Sequence, residues 1–221
     1  MSGVLALVGG GEWTEGCSFD RELIESAGAT EVVVLPTGSA YERPQLLVDQ
    51  AEQWFGTFPL PVRPVGVLTR RDAFDADLAA TLRGARLIYL AGTSAMHLRS
   101  VLKDTPVLDA ILAAWEDGAA LAGTNAGADV LCDPMVDSRG GAFTVGLGVV
   151  RSLAVIPQFD LWSPDKVRRT VELAPTGVSL AGVPRRTALL RHPDGSWTAQ
   201  GVGRVEVYVD GHGADPGDLT A

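Results

Sequence analysis

The sequence predicts an α/β protein of three layers: a mostly parallel central sheet, helices on both of its faces, and an antiparallel extension toward the C-terminus. Three observations predict it. Short apolar or β-branched runs alternate with amphipathic ones over most of the chain, which is the pattern of βαβ units. Glycine-bearing loops follow those runs, where the strands would end. The last third changes character and becomes strand-like segments joined by a tight turn.

Taken in order, residues 4–8 are the first strand. They have no basic segment ahead of them, so a strand is expected there rather than an export signal. Residues 21–27 and 44–54 are amphipathic and helical, and the β-branched run at 31–35 lies between them. Residues 65–68 and 87–90 are expected strands, with a helix at 77–83 between them. At 107–115, Val107, Leu108, Ile111, Leu112 and Trp115 fall on one helical face. Residues 119–122 are a fifth strand. Near the end, 187–191 and 196–200 flank His192-Pro193-Asp194-Gly195, a hairpin signal with Asp194-Gly195 in the turn. Residues 205–209 are expected to add one more strand to the same sheet. No repeat or linker interrupts the chain, so the expectation is one domain over residues 1–221.

Composition narrows the function. A 46% hydrophobic content over 221 residues supports a sizeable core. A formal net charge of −9, with no Lys/Arg cluster, argues against a nucleic-acid partner. Cys17 and Cys132 are too few for a disulfide framework and are expected to be packed thiols. No apolar run reaches the roughly 18–20 residues that span a bilayer, so no membrane partner is expected and a cytoplasmic location is. The residues call for no cofactor and no metal.

The most informative segment is Leu121-Ala122-Gly123-Thr124-Asn125-Ala126-Gly127-Ala128. A short apolar run enters Gly-x-x-x-Gly and a helix-like run leaves it. That is the outline of a nucleophile elbow, in which a sharp strand-to-helix turn projects one side chain above the sheet. The projected residue here is Asn125. A carboxamide has no readily ionised proton and a poorly nucleophilic nitrogen, so it cannot start acyl transfer as Ser or Cys does. Three other loops end strands: Gly9-Gly10-Gly11, Pro36-Thr37-Gly38-Ser39, and Gly92-Thr93-Ser94-Ala95-Met96-His97. The first lacks the Lys-Ser/Thr of a P-loop and is expected to be a tight turn, with Gly10 facing the pocket. In the last, Ser94 and His97 sit three residues apart. They form either a relocated catalytic dyad or a helix cap followed by an edge histidine.

The ordered set resembles the cyanophycinase and dipeptidase E family of serine peptidases, within the class I glutamine-amidotransferase-like superfamily. The pieces are the Gly9-Gly10-Gly11 turn, Leu35-Pro36-Thr37-Gly38-Ser39, the glycine loop and helix from Gly92 to Leu102, and the Gly123 to Ala128 elbow. Gly146-Leu147-Gly148 follows, then Ile156-Pro157-Gln158-Phe159, a helix bearing Arg168 and Arg169, and Gly182-Val183 ahead of Thr187. The resemblance spans nearly the whole chain and implies a flavodoxin-like layered fold. It also implies where catalytic residues belong. The family carries Ser at the position of Asn125, and His at the position of Gln158, which cannot accept and return a proton near neutral pH. An acid downstream of the elbow maps to Asp137 first and Asp133 second. The family favours an acidic residue ahead of the C-terminal Thr, where this chain has Arg185-Arg186.

Triad members act as a unit, so a chain lacking nucleophile and base retains a cavity but not a mechanism. The expected remainder is a corner of Ala126 N–H and the Gly92–Thr93 backbone, lined by Asn125 and Gln158. That corner suits a small acidic or peptide-like ligand, and a homodimer is compatible with it. The competing expectation is a working hydrolase of aspartyl or β-aspartyl peptides that uses Ser94 and His97.

Overall fold

The computed structural model describes residues 1–137, 139 and 141–220. The first half lays down β1 (Leu5–Val8), α1 (Phe19–Ala27), β2 (Val32–Gly38), α2 (Pro44–Phe55), β3 (Val62–Pro64), α3 (Arg70–Ala73), α4 (Ala76–Thr81), β4 (Leu87–Gly92), α5 (Ala95–Leu102), α6 (Pro106–Glu116), β5 (Ala120–Thr124) and α7 (Ala126–Leu131). Four two-residue strands follow: β6 (Cys132–Asp133), β7 (Met135–Val136), β8 (Phe143–Thr144) and β9 (Val150–Arg151). The chain ends with β10 (Leu153–Pro157), α8 (Pro164–Glu172), β11 (Ser179–Val183), β12 (Thr187–Arg191), β13 (Trp197–Gly201), β14 (Glu206–Val209) and β15 (His212–Ala214).

The central sheet has seven strands in the order β13-β12-β1-β5-β4-β2-β3. The five from β1 to β3 in that order are parallel, and β12 and β13 continue antiparallel. The pleat sorts side chains by parity. Leu5, Leu7, Val33, Leu35, Ile88, Leu90 and Leu121 enter one core with α3 to α7. Val4, Ala6, Val8, Val32, Val34, Leu87, Tyr89, Ala120 and Ala122 enter the other with α1 and α2. Burial on both faces is why these strands read as unbroken apolar runs. Among the described residues, no helix is long and apolar enough to cross a membrane.

Two expectations need correction. The strand placed at 65–68 lies three residues earlier, as β3. Val65 and Val67 are buried and Val65 N–H still reaches Val34 O at 2.9 Å, but the ladder stops at Pro64. The apolar pattern there reported burial rather than pairing. The strand placed at 205–209 does not join the central sheet. β14 pairs antiparallel with β11 in a second sheet of order β10-β11-β14-β15. β12 is already flanked by β1 and β13, so β14 takes the open edge of β11 instead.

Candidate functional site

The parallel strands all end at one edge of the sheet, where open α/β sheets place their ligands. Asn125 occupies the turn from β5 into α7, with φ 53 and ψ −110. This lies outside both helix and strand regions, in a conformation that a side chain enters only when the surrounding structure holds it there. The hold is visible. Asn125 N–H donates to Val8 O at 2.9 Å, and Asn125 C=O accepts from Ala128 N–H at 3.1 Å and from Asp129 N–H at 3.3 Å. The carboxamide does not cap its own helix.

The glycine turn after β1 gathers the rest. Gly9 C=O accepts from Gln158 N–H at 2.7 Å, Gly10 C=O accepts from Arg186 N–H at 2.7 Å, and Gly9 N–H donates to Thr187 O at 2.9 Å. Gly10 has φ 98, and a Cβ on it would stand 3.3 Å from Gln158 Cγ and 3.5 Å from Asn125 Cβ. Asn125 and Gln158 therefore flank Gly10 side by side, with no direct hydrogen bond between their carboxamides among the described residues. Trp13 (φ 57), Gln158 (φ 52) and Arg186 (φ 56) join Asn125 in positive φ around this one turn. The antiparallel insertion of β12 beside β1 is what brings Arg185 and Arg186 to this edge. Arg185 Nε–H donates to Asp160 at 2.8 Å.

The glycine loop after β4 differs from expectation. Thr93 N–H and Ser94 N–H both donate to Gly38 O, at 3.3 and 3.0 Å. Gly92 (φ 127) lies so close to the Gly38 backbone that neither residue has room for a Cβ. That close approach, at the irregular end of the β2–β4 pairing, turns the Thr93 donor inward. The Gly92–Thr93 side of the expected anion corner is thus occupied by protein, and the Thr93 hydroxyl donates to Glu42 at 2.7 Å. Ala126, at the first position of α7, has no intrahelical acceptor for its N–H.

Ser94 and His97 are not brought together as a dyad. Ser94 Oγ accepts from His97 backbone N–H at 3.3 Å as the cap of α5. The His97 ring places Nε2 2.9 Å from Leu68 O and packs edge-on against Tyr41. Asp137 lies in the same cavity as Asn125, but its carboxylate is engaged by Arg139 at 2.8 and 3.0 Å, which holds it below the usual carboxylate range. Asp133 accepts from Gly146 N–H at 3.1 Å.

The cavity in front of Asn125 has a volume of about 350 Å³. Thr93, Met96, Ala126, Asp129, Thr144 and Pro157 line it together with Asn125, Asp137 and Arg139. Asp129 is a site residue that the motif analysis passed over. It is 3% exposed, and among the described residues its carboxyl has one hydrogen-bond partner, Val136 N–H at 2.8 Å. Burial pushes its pKa up to about 8, so at neutral pH it is a proton donor rather than an anion. Its spacing from Asn125, one helical turn, was the signal that could have found it.

The sequence model of peptidase family S51 matches residues 5–159. The chain is 25% identical to the cyanophycinase of Synechococcus elongatus over 232 residues, covering 98% of this chain and 69% of that protein. The cyanophycinase of Thermosynechococcus vestitus matches with the same identity and coverage. Among solved structures, a peptidase from an acI-B1 Actinobacterium superposes with a TM-score of 0.84 at 27% identity, covering 97% of each chain. A putative peptidase E from Listeria monocytogenes EGD-e shares the fold, with a TM-score of 0.69 at 16% identity over 92% of this chain and 100% of that one. The chain belongs to peptidase family S51, and its likeness to cyanophycinase stands.

Proposed function

We propose that this member of peptidase family S51 is a non-catalytic binding protein whose elbow pocket takes a small acidic or peptide-like ligand. One observation carries the reading: carboxamides stand side by side across Gly10 at the positions that resemblance assigns to nucleophile and base. Neither Asn125 nor Gln158 ionises near neutral pH, so neither attacks a carbonyl nor shuttles a proton. The relocated alternative has no support in the local bonding, because Ser94 Oγ and His97 Nε2 are each engaged with backbone. The cavity is lined by the Asn125 carboxamide, Ala126, the Arg139 guanidinium and a protonated Asp129, with Gln158 beside Asn125 across Gly10. These groups favour a ligand that is anionic or rich in amides.

The test is a pair of measurements on the unmodified protein. Hydrolysis of Asp-X dipeptides, isoaspartyl dipeptides and β-aspartyl-arginine is expected at background, with no fluorophosphonate labelling. A thermal-shift screen of the same compounds and free amino acids is expected to raise Tm for at least one of them. Clear turnover overturns the reading.

A further inference from the structure

We propose that Asn125 is a self-modification site: the elbow holds it in the conformation of a cyclic imide, through which its carboxamide converts to a carboxylate. This goes beyond the binding reading and does not depend on it, since it rests on the elbow backbone alone.

The ring in question contains Cα, Cβ and Cγ of Asn125, its carbonyl carbon and the nitrogen of Ala126. Closing it requires Cβ and that nitrogen to eclipse about the Cα–C bond. Tetrahedral geometry sets N and Cβ about 120° apart around that bond, so an L-residue reaches the eclipsed arrangement at ψ near about −120°. Strands and helices hold ψ far away, near about +135° and −42°. Asn125 has ψ −110 in the resting protein. The two N–H bonds onto its carbonyl, from Ala128 and Asp129, hold that torsion in place. The main conformational cost of cyclisation is therefore already met by the fold.

The surroundings accept the intermediate. Ala126 must surrender its N–H proton, and at the first helical position that N–H has no intrahelical partner to lose. This is the reason proline is tolerated there. The Asn125 carboxamide makes no cap bond that would hold it away from the backbone, and the cavity it faces is open to water. In the chemical step, the Ala126 nitrogen attacks Cγ, the N–Cγ bond forms and the Cγ–Nδ2 bond breaks. Ammonia leaves, carrying the proton that Ala126 gave up. Water then adds to the imide. Addition at Cγ yields aspartate, and addition at the main-chain carbonyl yields isoaspartate. The main-chain carbonyl is covered by two N–H donors of α7 while the side chain faces the cavity, so aspartate is the expected product. The outcome is a new negative charge at the centre of the elbow.

The experiment is incubation of the intact protein at 37 °C and mildly alkaline pH, followed by peptide mapping with mass spectrometry. The same chain in urea and a synthetic peptide of residues 121–130 serve as references. Conversion of Asn125 in the native protein is expected to be about tenfold faster than in either reference, the gain from not having to fix one residue's backbone. Hydroxylamine is expected to cleave the native chain between Asn125 and Ala126 by trapping the imide. Asn125→Gln, whose side chain would need a larger ring, is expected to show no such acceleration. Native conversion no faster than in the unfolded chain overturns the proposal, as does equal acceleration in Asn125→Gln. Either failure leaves the binding reading standing, because binding is measured separately by the thermal-shift screen.

Discussion

Asp20 sits in α1 against one face of the central sheet and Asn125 at the end of the sheet where β5 stops, and the fold treats them in opposite ways. Asp20 is fully buried against the core that holds Phe19 and Tyr89. Both of its carboxyl oxygens are engaged: Tyr89 donates its hydroxyl to one, and Trp54 Nε1–H donates to the other at 2.7 Å. Asn125 is half-buried, its backbone is held in a strained turn, and its carboxamide has no partner in its own helix. The first centre spends its polarity on the fold. The second keeps its polarity for something outside the fold and stores backbone strain while doing so. A polar group satisfied inside the molecule reads as structure, and one held rigidly but left open reads as a site.

That contrast can be broken by stability measurements. The largest expected effect is at Asp20. Asp20→Ala strands the buried Tyr89 hydroxyl and the half-buried Trp54 N–H and is expected to cost about 2–4 kcal/mol in urea unfolding. A loss below about 1 kcal/mol would mean that the Asp20 cluster is not the structural centre described here.

The pH dependence sharpens the same point. Burial pushes the Asp20 pKa up to about 7 and that of Asp129 to about 8. Both stand above the unfolded value, so the native state holds protons that the unfolded chain has released. Their stabilising share is whole below the ordinary carboxylate range and is lost as pH rises through about 7 and about 8. Unfolding free energy should therefore fall between pH 5 and 8. In Asp20→Asn the slope is expected to be shallower by up to about 1.4 kcal/mol per pH unit. An unchanged slope would show that Asp20 does not titrate in this range.

At the elbow the sign reverses. Asn125→Gly relieves the positive φ and is expected to leave stability unchanged or raise it by up to about 1 kcal/mol, measured as a shift in urea midpoint. A marked loss would show that the Asn125 side chain supports the fold after all. The smallest expected effect is constructive. Asn125→Ser with Gln158→His is expected to give weak fluorophosphonate labelling, because the turn and the Ala126 N–H remain. Complete absence of labelling would show that the inward-turned Thr93 donor removes what an oxyanion needs.

Much of this was legible in the sequence, for identifiable reasons. Strands buried on both faces announce themselves as apolar runs, which is why β1, β2, β4 and β5 were visible and the elbow after β5 with them. The partner of β14 was not visible, because strand pairing depends on which edge remains open and not on the strand's own residues. At the site, Asn125 and Gln158 stood out by their motifs. The fate of the Thr93 N–H did not, because it is decided by how closely Gly38 and Gly92 approach. Asp129 escaped notice because an acid in the first turn of a helix is ordinary until burial raises its pKa.

The glycine turn after β1 also governs when the site can exist. Its backbone is joined to residues 158, 186 and 187, and Val8 just ahead of it to residue 125, so the surroundings of the elbow are drawn from segments that span most of the chain. During synthesis the first strand emerges early and waits. β5 can dock beside it, but the opposite flank of β1 stays bare until β12 has left the ribosome and inserted antiparallel. Closing contacts of such long sequence separation is slow. A nascent chain stopped short of residue 187 would carry every residue that lines the cavity but not the β12 backbone that pins the glycine turn beside it, so ligand capture by stalled chains should strengthen once β12 is exposed.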